Sequence, residues 1–116
     1  MATLMAGRAA MAGLALSPIM QSWNQQRHAI DAMMSGRSPY DEAAIRHAVK
    51  LYVADASAVA GHLGGTSAAA RDFRGRFAAF AAQGRRALDS VGQPAAFRPN
   101  LRRIADDCQS CHAVYN

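Results

Sequence analysis

Apolar side chains recur at spacings of three and four along most of this chain, the period of helices with one buried face. Ser17-Pro18 reads as a first helix start, with serine as cap and proline at the first helical position. Ile19, Met20, Trp23, Arg27, Ile30, Met33 and Met34 then mark one face, Arg27 being its weak member, and Gly36 predicts the end. The device repeats at Ser38-Pro39, with Asp41 and Glu42 placed in a first turn where the helix dipole favours them. Ile45, Ala48, Tyr52, Ala56, Val59 and Leu63 are the expected buried face, and Gly64-Gly65 the stop. A third helix is expected to open at Thr66 or Ser67 and to carry Phe73, Phe77, Phe80, Gly84 and Leu88. Glycine inside such a stripe costs about 1 kcal/mol of propensity. A neighbouring helix close by, a flat ligand or simple tolerance would each explain Gly84. Val91 to Pro99 reads as a connector, because it holds Gly92, Pro94 and Pro99, and Asn100 as the cap of a fourth helix. Leu101, Ile104, Cys108, Cys111, His112 and Tyr115 form its inward face. Four such helices with short connections predict an all-α fold, an antiparallel four-helix bundle.

Composition agrees with this pattern. Alanine supplies 27 of 116 residues while β-branched and aromatic residues are sparse, which favours close-packed helices over sheets. The length suits one domain, here residues 18–116, with residues 1–17 as an N-terminal extension or leader remnant. No apolar run is long enough for a transmembrane helix. The net charge is +5, but the arginines are spread from end to end without aromatic interleaving or a DNA-binding motif. They read as solvated helix faces that would also suit an acidic protein partner, and nucleic acid is not expected.

The chemistry lies in Cys108-Gln109-Ser110-Cys111-His112, a C-x-x-C-H sequence. Residues three apart share a helix face, so both thiols reach the two vinyl groups on one edge of a porphyrin. His112 follows directly and can bind iron from the proximal side. Two alternatives use the same residues. A thioredoxin-like dithiol would follow a strand, and none is expected here. A closed zinc site would need a fourth ligand from His28, His47 or His62, all distant in sequence. Haem c, one per chain and attached through Cys108 and Cys111, fits the residues best. No carboxylate pair or Ser-His-Asp arrangement suggests an enzyme.

The terminal C-x-x-C-H with Tyr115, together with Gly36-Arg37-Ser38-Pro39-Tyr40-Asp41, resembles the class II c-type cytochromes, the family of cytochrome c-prime and cytochrome c-556. The aromatic third helix is similar as well, and the likeness spans roughly residues 18 to 116. It implies a four-helix bundle, a periplasmic location, often a homodimer, and His112 as the fifth iron ligand. The family's spacing from Gly36 places its distal position at Met20. Methionine there implies six-coordinate iron and an electron carrier working with a redox partner protein, whose surface could be acidic. An unligated Met20 would leave five-coordinate iron behind an apolar face that admits nitric oxide or carbon monoxide. The chain departs from the family at Leu16, where an arginine is common, and at Asn116, where a basic residue is common.

Overall fold

The computed structural model describes residues 16–115; of residues 1–17, read as an extension or leader remnant, 1–15 lie outside the described residues, as does Asn116. Four helices follow one another: α1 Leu16–Met34, α2 Glu42–His62, α3 Ala68–Leu88 and α4 Pro94–Tyr115. No strand occurs among the described residues. The fold is an all-α four-helix bundle.

Side-chain contacts run antiparallel between neighbours. Arg46 of α2 reaches the Leu88 carbonyl of α3 at 3.4 Å, while Arg74 near the other end of α3 reaches the Leu63 carbonyl at 3.4 Å. Between α3 and α4, Gln83 meets Asn100 at one end and Asp72 meets Tyr115 at the other. Between α1 and α4, Arg98 donates to the Met34 carbonyl at 3.2 Å.

The expected face of α2 is buried throughout, from Ile45 to Leu63, and Val49 joins it. Trp23 and Ile30 of α1, with Phe77 and Phe80 of α3, complete the centre. Trp23 stacks on Phe80 with centroids 4.8 Å apart and meets Tyr52 edge-on at 5.6 Å. Its indole N–H donates to Asp55 Oδ2 at 3.0 Å, and the Tyr52 hydroxyl donates to the Trp23 carbonyl at 3.2 Å. The polar atoms of these large rings are therefore satisfied where they enter the core.

Gly84 is explained by a neighbouring helix. A Cβ built there would lie 2.6 Å from Val53 Cγ2, so α2 and α3 approach too closely for any side chain at this point.

Three helix starts differ from the sequence expectation. Ser17 and Pro18 already lie inside α1. The cap of α2 is Asp41 and not Ser38: its extended backbone (φ −121°) lets Oδ1 accept from the Ala44 N–H at 3.1 Å. A carboxylate accepts that bond better than a hydroxyl, so Pro39 is left in the turn. Ser67 caps α3 as expected, accepting from the Ala70 N–H at 3.0 Å. The third difference is the largest. α4 begins at Pro94 and runs through Pro99, burying Phe97 completely, so Val91–Pro99 is only partly a connector. Pro94 suits a first helical position, and Pro99 comes early enough that it forfeits one bond near the exposed start. Asn100 does not cap. Its amide instead donates to Ser90 Oγ at 3.0 Å and to the Ala96 carbonyl at 3.4 Å, and its Oδ1 accepts from Gln83 at 3.3 Å. The stop after α1 falls where expected, with Gly36 at φ +80°, a conformation costly for any residue with a Cβ.

Candidate functional site

Helices α2 and α3 pack along their lengths, α4 packs on α3, and α1 leans lightly on α2. Helices α1 and α4 scarcely approach one another. The seam between them opens into a cavity of about 680 Å³, within the range of roughly 300–1,000 Å³ typical of cofactor and ligand sites.

Its walls are mainly apolar. Leu16, Met20 and Trp23 face it from α1, Phe73, Phe77 and Phe80 from α3, and Leu101 and Ile104 from α4. Cys108, Cys111 and His112 all line the same space, as the helical spacing requires, and Met20 lines it from α1. Met20, near the start of α1, and His112, near the end of α4, stand toward the same end of this antiparallel seam. Every residue that the sequence singled out for haem thus borders this cavity, although His112, expected on the inward face of α4, is exposed.

Burial pushes the Cys108 thiol above its ordinary pKa, with the nearby Arg27 guanidinium opposing the shift. Cys111 is raised by burial too, and Arg76 opposes it. Tyr52 at the floor is raised well beyond its usual range by burial and, secondarily, by Cys108. Asp107, also on the lining, is raised by burial and then by Asp106. Both cysteines are therefore thiols near neutral pH, partly sheltered in a cavity of low polarity.

His28, His47 and His62 stand elsewhere. All three are exposed and none lines the cavity. Among the described residues, no three His, Cys, Asp or Glu side chains converge as metal ligands would. The closed zinc alternative therefore finds no fourth ligand and no gathered set.

Haem fits what is present. Two thiols and an imidazole from α4, a thioether from α1 and aromatic rings from α3 border one mainly apolar cavity. Four guanidinium groups, Arg27, Arg76, Arg98 and Arg102, also border the cavity; Arg76 is engaged by Asp72, and the other three can balance the two carboxylates that haem carries. Only Arg27 falls on a face that the sequence marks as inward; the others do not stand out, because arginines recur all along the chain.

No family model, no curated protein and no solved structure matches this chain.

Proposed function

We propose that this chain is a monohaem c-type cytochrome that carries electrons, with haem attached through Cys108 and Cys111 and iron held by His112 and Met20. One observation carries the reading: the C-x-x-C-H residues and Met20 border the same apolar cavity from opposing helices. Bound haem supplies an iron that takes up and releases one electron. The chain's part would be to offer the His112 imidazole from α4 and the Met20 thioether from α1 as its two iron donors. A thioether favours ferrous iron relative to a second imidazole and raises the potential. The mainly apolar walls would disfavour the ferric charge.

Thioether attachment in bacteria takes place outside the cytoplasmic membrane, so a periplasmic site belongs to the same proposal. No helix of the described residues is long and apolar enough to cross a membrane.

The test is an optical spectrum of protein matured in a host able to attach haem c, reduced and oxidised, before and after carbon monoxide. Sharp low-spin bands unchanged by carbon monoxide are expected. A high-spin spectrum that shifts with carbon monoxide would overturn ligation by Met20 and leave a gas-binding cytochrome. Absence of covalent haem would overturn the whole reading.

A further inference from the structure

Of the two residues between the cysteines, Gln109 and Ser110, the second is held by a neighbouring helix. Arg76 of α3 donates from Nη1 to Ser110 Oγ at 3.2 Å and from Nε to Asp72 Oδ2 at 2.9 Å. The same carboxylate oxygen accepts from the Tyr115 hydroxyl at 2.6 Å, which also lies 3.2 Å from the Ala69 carbonyl. Phe73 meets the Tyr115 ring edge-on at 4.7 Å, and the Arg76 guanidinium stands 5.8 Å from its centroid. Asp72 and Arg76 are one turn apart on α3, while Ser110 and Tyr115 flank Cys111 and His112 on α4. The final turn of α4, which a helix terminus would leave free to fray, is thus tied down on both sides of the histidine.

We infer that the Asp72–Arg76 pair is a clamp that positions the Cys111–His112 turn, setting the angle at which His112 presents its imidazole to the cavity. The inference rests on the haem reading for its consequence and on the hydrogen bonds alone for its existence. Surface ion pairs taken singly are weak. This pair acts differently because one carboxylate and one fork-shaped guanidinium close two cross-helix links at once. A lysine at position 76 would keep the charge but, with a single ammonium, would not span Asp72 and Ser110 in the same geometry.

The experiment compares the matured full chain with Asp72→Ala, Arg76→Lys and Asp72→Glu variants by hydrogen exchange and by the haem spectrum. Asp72→Ala is expected to speed exchange of amides 108–115 by about tenfold while amides in α2 stay unchanged, as for a local opening. In the same variant the low-spin signature should broaden or become mixed-spin although haem stays attached. Arg76→Lys should show an intermediate loss, and Asp72→Glu should restore the spectrum. Unchanged exchange at 108–115 would refute the clamp. Faster exchange with an unaltered spectrum would refute positioning and reduce the pair to a helix anchor. If no haem attaches, the function proposed above fails, while the clamp still stands or falls on the exchange data.

Discussion

Substituting Gly84 by alanine should change sign with its neighbour. In an isolated helix the substitution is favourable by about 1 kcal/mol, because glycine has more backbone entropy to lose. In this bundle the new Cβ would stand 2.6 Å from Val53 Cγ2, where ordinary contact lies at 3.4–4 Å. Valine in a helix has one strongly preferred rotamer, so the overlap cannot be relieved by turning the side chain. The helices must move apart at their most extensive interface, and overpacking of this kind costs about 1–3 kcal/mol. Gly84→Ala should therefore destabilise the chain by about 1 kcal/mol net, the clash outweighing the propensity gain. Val53→Ala alone should cost about 1 kcal/mol for a half-buried side chain losing two methyls. In that background the obstruction is gone, and Gly84→Ala should stabilise by about 0.5–1 kcal/mol. Urea unfolding followed by helical circular dichroism, for all four chains in the same maturation state, closes the cycle. Stabilisation by Gly84→Ala in the parent chain, or the same sign in both backgrounds, would refute the close approach.

Phe97→Ala should cost about 3–5 kcal/mol in the same assay, since the ring is completely buried. A loss below about 1 kcal/mol would mean that Phe97 is not a core residue. Met20→Leu conserves volume and should cost under about 1.5 kcal/mol of stability, yet convert the haem to a high-spin form that binds carbon monoxide. An unchanged low-spin spectrum would assign the sixth ligand elsewhere. The Asp72 carboxyl is held below its ordinary value of 3.8, first by the Tyr115 hydroxyl and then by Arg76. A depressed folded pKa contributes stability that is present above 3.8 and lost as pH falls through the lower value. The protection factors of amides 108–115, exchange taken relative to the intrinsic rate at each pH, should therefore fall on acidification from about pH 5 to about pH 3, and Asp72→Asn should flatten that fall. Tyr115 is shifted up, mainly by the Asp72 hydrogen bond. Its contribution is thus full below its unfolded pKa and lost only as pH climbs through the raised one.

Much of the bundle was legible because its buried positions are spaced for helices and its stops carry glycine. The α2 stripe from Ile45 to Leu63 is buried at every expected position. The starts were less legible where two residues compete for one role. Ser38 and Asp41 are both good caps, and the choice depends on which backbone stays extended, a property that pattern alone does not encode. At α4 a local rule was overridden by packing. Two prolines argue for a loop, but burial of Phe97 and the bonds from Asn100 to Ser90 and Gln83 hold the segment helical. Gly84 could be flagged from sequence as a point of close approach, whereas the identity of what approaches belongs to the tertiary structure.

The candidate site divides in the same way. C-x-x-C-H places three groups on one helix face by local geometry, so a cavity beside α4 follows from the motif once that face is turned inward. Nothing local says which seam of the bundle stays open. That depends on α1 and α4 scarcely approaching one another while α2 and α3 pack closely through Gly84 and alanine-rich faces. The open seam is also what gives Met20 its meaning. On a closed bundle it would be one more partly buried methionine packed against the core, like Met33 on the same helix. Here Met20 and His112 stand toward the same end of the seam and border one space. Met34 borders that space as well, but from the end of α1 that meets Arg98, away from the histidine.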